Sequence, residues 1–139
     1  MNRSETRKVA FELLYSLVVQ KTEELEFDEQ IKMFLDSKEV NEEKVVDYVK
    51  DIIYGVERNK ESIIEQIKEE LTEKWELSRI SKINLAILEL ATYELIYTKV
   101  PFKTVVYEAV ELAKAYGDDN APSFVHGVLA SIIKKNNIA

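Results

Sequence analysis

From Ile80 to Tyr97, apolar side chains fall on nearly every side of the cylinder that a helix would make: Ile83, Leu85, Ala86, Ile87, Leu88, Leu90, Ala91, Tyr93 and Leu95. A helix with one apolar stripe lies at a protein's surface, whereas one that is apolar all round is enclosed by its neighbours. This segment therefore requires a shell of further elements around it. The rest of the chain offers amphipathic helices and little else. Three glycines and two prolines in 139 residues are too few to turn the many short strands of an all-β protein, and no Asn-Gly or Asp-Gly hairpin signal occurs.

Helical periodicity continues on both sides of the central segment. In the first segment Val9, Ala10, Leu13, Leu14, Leu17 and Val18 form one broad stripe, and Asn2 with Glu5 has the spacing of a capping box. A second helix is expected over Phe27–Asp36, burying Ile31, Phe34 and Leu35. A third follows Asn41 as N-cap and buries Val45, Val46, Val49, Ile52, Ile53 and Val56. The fourth uses Ile63, Ile64, Ile67 and Leu71, with Trp75 at its end. After the central fifth helix, Pro101 marks a break. The sixth helix buries Val105, Val106, Ala109, Val110 and Ala113, and Gly117 stands where a left-handed C-cap belongs. Asn120-Ala121-Pro122 restarts a seventh helix with proline in its first turn, burying Phe124, Val125, Val128, Leu129, Ile132 and Ile133. The expected fold is all-α: a single compact bundle of about seven helices forming one domain over residues 1–139.

With 46% apolar and 32% charged residues, the composition is that of a globular domain. No window approaches the ~20 consecutive apolar residues of a membrane span. Charges among the first eight residues interrupt the place where a signal peptide would begin its apolar stretch. A cytoplasmic location without membrane contact is the expectation. There is no cysteine, which removes disulfides and thiolate metal sites. The net charge of −7 is unevenly spread. Residues 1–22 hold four basic and two acidic side chains, residues 23–76 eight and 18, and residues 77–139 seven and six. The acidity is confined to the middle, where it reads as a solvated outer face. Screening over about 8–10 Å lets a local basic patch at either end act independently of it.

Catalytic patterns are missing. Three isolated glycines build no phosphate cradle. His126 is the only histidine, and without cysteine or a second histidine it forms no zinc site of the usual kind. Ser123 with His126 lacks a third orienting group. Glu89, Glu94, Glu108 and Glu111 lack the Glu-x-x-His spacing of di-iron bundles. The expectation is a non-enzyme with no catalytic residue, cofactor or metal.

Four stretches carry a resemblance. They are Arg7 to Tyr15; Arg79-Ile80-Ser81-Lys82 running into Ile87-Leu88-Glu89-Leu90-Ala91-Thr92-Tyr93-Glu94-Leu95; Val100-Pro101 with Tyr107-Glu108-Ala109-Val110-Glu111-Leu112-Ala113-Lys114-Ala115-Tyr116-Gly117; and Phe124-Val125-His126-Gly127-Val128-Leu129. In this order and spacing they resemble the NusB family of transcription antitermination factors, nearly end to end. The resemblance implies an all-α domain that pairs with the small-subunit ribosomal protein NusE. The pair binds boxA RNA and joins the transcription elongation complex, so that RNA polymerase resists termination on ribosomal RNA operons. Two departures stand out: His126 replaces the usual asparagine of Phe-Val-Asn-Gly, and Ser4 and Glu5 fall where arginines often stand. The second points to dependence on the partner for RNA affinity.

Several residues then become site candidates. Arg3 and Arg7 lie four apart on one helix face with Lys8 beside them, followed in the same row by Phe11 and Tyr15. Guanidinium groups grip phosphate and stack on bases, and aromatics add platforms. Residue chemistry alone also allows Arg3 and Arg7 to be solvated charges, and Phe11 is expected in the core. The resemblance implies RNA contacts for Arg3, Arg7, Lys8, Asn120 and Phe124, and NusE contacts for Tyr15 and Ser81. Tyr15 also reads as a half-buried tyrosine, Ser81 as an N-cap and Phe124 as core. Asp118 and Asp119 would repel phosphate and so gate the site. The rival function is a helical protein-interaction or homodimerisation module without RNA binding; an enzyme comes after it.

Overall fold

The computed structural model describes residues 1–71 and 77–139; the expectation for Trp75 lies outside the described residues. Seven α-helices, two single 3-10 turns and no strand occur among the described residues, in line with the scarcity of turn formers. They form two compact units, Met1–Arg58 and Asn59–Ala139.

The first unit holds α1 (Arg3–Gln20), α2 (Phe27–Ser37) and α3 (Glu43–Arg58). α1 begins where the Asn2–Glu5 spacing predicts. The Glu5 N–H donates to Asn2 Oδ1 at 2.8 Å, and the Asn2 N–H donates to Glu5 Oε1 at 3.2 Å. Two donors left over by the first turn are thereby satisfied, an arrangement typically worth ~1 kcal/mol. The helix stops at Lys21, whose left-handed backbone (φ 54°) turns its N–H back to the carbonyls of Leu17 and Val18. Its apolar face, including Phe11 as expected, packs on α3, which buries Val45, Val49, Ile52, Ile53 and Val56. The cap of α3 falls at Glu42, one residue past Asn41: the Val46 N–H donates to the Glu42 carbonyl at 3.0 Å. The Glu42 carboxylate also takes the Met1 ammonium at 3.1 Å. Phe34, expected in the core, is half-buried with Lys38 Nζ 5.6 Å from its ring centre. Tyr54 ties α3 to α2 by donating its hydroxyl to Asp28 Oδ1 at 2.5 Å.

The second unit holds α4 (Lys60–Glu69), α5 (Lys82–Tyr97), α6 (Phe102–Tyr116) and α7 (Ala121–Lys135). α5 touches all three of the others, and every residue from Ala86 to Leu95 is buried. The central position of the fifth helix is thus found. Enclosure extends to polar groups, since Glu89 is 0% exposed, with Lys60 Nζ 3.9 Å from its Oε2. α4 buries Ile63 and Ile67, while Ile64 and Leu71 stay half-buried. Its end is tied to α7 by the Glu69–Lys135 ion pair and by Asn136 Nδ2 donating to Gln66 Oε1 at 3.0 Å.

Three expectations for α6 and α7 need correction. Val106 and Val110 are half-buried, because α6 turns Val105, Ala109, Leu112 and Ala113 to the core instead. Phe124 is half-buried for the same reason, since Val125, Val128 and Leu129 take the inner face of α7. Gly117 is not left-handed; its φ of −93° and ψ of −179° are extended. It is glycine for want of space. A Cβ there would lie 2.4 Å from the Ala121 Cβ and 2.9 Å from the Ala113 carbonyl oxygen.

Candidate nucleic-acid interface

On α1 the candidate residues part company. Arg3 and Lys8 are exposed, but Arg7 is only 5% exposed, with its guanidinium carbon 5.3 Å from the ring centre of Tyr48 on α3. Arg7, expected among the phosphate contacts, is thus largely covered where Arg3 and Lys8 are open to solvent. Steps of four residues advance about 400° around a helix, so the row Arg3, Arg7, Phe11, Tyr15 drifts about 40° per step. It starts in solvent and sinks toward α3. Lys8, about 100° on from Arg7, turns back out. Tyr15 is half-buried and stacks on Phe11, with ring centres 6.2 Å apart and planes 27° apart.

In the second unit the fold gathers residues that are far apart in the chain. Ser81, Asn120 and Phe124, together with Arg79, Ile80, Asn84 and Asp118, line a cleft of about 250 Å³. The N-termini of α5 and α7 both border it. Ser81 Oγ accepts the Asn84 N–H at 3.0 Å and so caps α5. Asp118 Oδ1 accepts the Asn120 N–H at 3.0 Å, holding the turn into α7. The Asn120 side chain makes no cap bond. Asn84 Oδ1 is buried with no hydrogen-bond partner among the described residues. Phe124 is half-buried at the cleft wall.

Arg79 is the residue that sequence reasoning missed. It is exposed, in the 3-10 turn Leu77–Arg79 that leads into α5. The available signal was its company. Arg79 and Lys82 flank the start of α5, where the helix dipole disfavours cations by ~0.3–1 kcal/mol, and no acid stands in that first turn. Basic residues placed against a helix's own preference favour an anion arriving there. Asp118 is the opposing charge in the cleft; Asp119 does not line it.

The remaining chemistry is sparse. His126 is exposed, and the Ser123 hydroxyl donates to the Asn120 carbonyl at 3.2 Å. Among the described residues no group of three histidine, cysteine, aspartate or glutamate side chains could hold a metal. No helix among them is long and apolar enough to cross a membrane.

Known proteins resemble the chain throughout its length. The transcription antitermination protein NusB of Clostridium novyi (strain NT) is 46% identical over 136 residues, covering 96% of this chain and 99% of that protein. The NusB of Clostridium acetobutylicum is 39% identical, covering 98% of each. Among solved structures, T. maritima NusB superposes with a TM-score of 0.86 at 33% identity, over 97% of this chain and 92% of that one. A structure of the antitermination factors NusB and NusE in complex with double-stranded RNA gives 0.84 at 28% identity, over 97% and 99%. The family model described as the NusB family matches residues 4–134, and the chain belongs to that family.

Proposed function

We propose that this chain is a transcription antitermination factor that binds boxA RNA jointly with ribosomal protein NusE and carries it to the elongating polymerase in the cytoplasm. It acts by binding, without a catalytic step, and residues 1–139 serve as one RNA-binding domain. The cleft of the second unit carries this reading. A guanidinium, two amides and a partly open aromatic ring line one small site, a combination suited to a splayed-out base and its phosphate. Solved relatives that include a NusB–NusE–RNA complex support it. Arg79, Asn120 and Phe124 hold RNA there, and Arg3 and Lys8 offer phosphate contacts on α1. Arg7 supports α1 from below. Tyr15 and Ser81 face NusE.

The test is fluorescence anisotropy with labelled boxA RNA, with and without NusE, over a range of salt. Tight binding is expected only with NusE. Phe124→Ala should weaken it by roughly 1–3 kcal/mol, about five- to 150-fold, the usual worth of a stacked base. Arg79→Ala should reduce the salt slope by about 0.7 for a contact to a single strand. Folded variants with unchanged affinity would remove the cleft from the site. Absence of RNA binding beside NusE would remove the function.

A further inference from the structure

Val106 and Val110, which the sequence assigns to the core, instead face a groove of about 640 Å³ between α6 and α7, with Phe102, Tyr107 and Ile133. Tyr107 is 56% exposed. The floor is apolar, and basic side chains outnumber acidic ones at its edges: Lys103, Lys114 and Lys134 line it with Glu111, and Ala139 borders it. That glutamate pairs with Lys114 at 3.9 Å. Three lysines to one glutamate make a cationic rim around an apolar floor. Monomeric proteins rarely leave a contiguous apolar patch open without use.

We propose that this groove is the docking site for an acidic amphipathic helix of a partner protein. The helix lays apolar residues on Val106, Val110 and Ile133 and sets acids against Lys103, Lys114 and Lys134. A trough between two helices suits a third helix in the helix-in-groove mode. Lys103 and Lys114 are eleven residues apart, so α6 presents about 17 Å of rim, or three turns of a docked helix. Charge complementarity selects the occupant's acids and sets its approach. The same rule disfavours a symmetric contact between two copies through this face, which would bring lysines against lysines. The groove shares no lining residue with the cleft assigned to RNA, so the inference stands apart from the proposed function.

The probe is a fluorescein-labelled, helix-stabilised three-turn peptide with leucines at i, i+3, i+4 and i+7 and glutamates elsewhere. Its counterpart carries lysines for glutamates. With the full chain, the acidic peptide should bind at least tenfold more tightly than the basic one, and the difference should shrink as salt rises. Amide resonances of α6 and α7 should shift. Val110→Asp should abolish binding. Because that change could unsettle the fold, Lys103→Glu combined with Lys114→Glu provides a second reading on exposed positions; it should reverse the preference between the peptides. BoxA RNA binding beside NusE should be unchanged in both variants. Equal affinity for the two peptides, or resonance shifts away from α6 and α7, would overturn the proposal. So would self-association of the wild-type chain in sedimentation that Val110→Asp removes, or loss of RNA binding in the double variant.

Discussion

Replacing Arg7 separates a buried support from a phosphate contact. Arg7 is 5% exposed, and its guanidinium lies 5.3 Å from the Tyr48 ring centre. Arg7→Met keeps an unbranched stem and loses the attraction between cation and ring, about 1–2 kcal/mol for a desolvated pair. Arg7→Glu also places a carboxylate beside the negative face of the ring, and an uncompensated buried charge costs about 3–5 kcal/mol. For a protein of this size 1 kcal/mol moves the melting temperature by roughly 4 °C. Arg7→Met should therefore melt roughly 4–8 °C below wild type, and Arg7→Glu roughly 12–20 °C below. Circular dichroism melts measure this directly. RNA affinity beside NusE, read well below both transitions, should stay within about twofold for Arg7→Met, since each tenfold would need ~1.4 kcal/mol of lost contact. A variant that melts like wild type but no longer binds RNA would refute the burial argument and return Arg7 to the interface.

Gly117→Ala tests the elbow between α6 and α7. If space is the constraint, the added methyl should cost ~1–3 kcal/mol. If it is not, alanine at this ordinary φ should raise the melting temperature by limiting the unfolded chain, worth ~0.4–1 kcal/mol. Tyr54 gives an alkaline signature: its hydrogen bond to Asp28, reinforced by burial, pushes its pKa up to about 12. With the folded value above the unfolded one of about 10, its contribution is intact below pH 10 and lost as pH rises toward 12. Tyr54→Phe should be less stable than wild type by about 1 kcal/mol at pH 8 in urea denaturation, with the gap closing by pH 12; an equal gap at both ends would contradict the assignment. Asp118→Asn should strengthen RNA binding beside NusE about two- to fivefold, from roughly 0.5–1 kcal/mol of relieved repulsion, because the amide oxygen can still accept the Asn120 N–H. Asp119→Asn, outside the cleft, should do little, and the reverse order in titrations would show that the wrong aspartate has been chosen.

The helices were legible because each follows from local signals: apolar spacing, the Asn2–Glu5 capping box, and the all-round apolar run whose enclosure from Ala86 to Leu95 the fold then supplies. What periodicity cannot give is depth. Arg3 and Arg7 share a row, and packing against another helix, with Tyr48 beside the guanidinium, leaves one wet and the other covered. Val106 and Val105 are equally apolar, yet the way α6 packs buries one fully and leaves the other half-buried. Phe124 was ambiguous between core and platform for the same reason. Gly117 could be recognised as necessary, but the reason lies in Ala121, across a turn whose closeness no local pattern encodes. A single arginine such as Arg79 carries no signal in the sequence; it becomes informative once Ser81, Asn120 and Phe124 line the same space.

Ala113, Gly117 and Ala121 leave no room at the elbow, so α6 and α7 have little freedom to swing against each other. The cleft at the start of α7 and the groove along its side are both shaped before any ligand arrives. A pre-shaped surface gives up little conformational entropy on binding, and no slow rearrangement has to precede contact. Arrival rates should then vary little from one ligand or variant to another, and affinity should be expressed as residence time, in the dissociation rate.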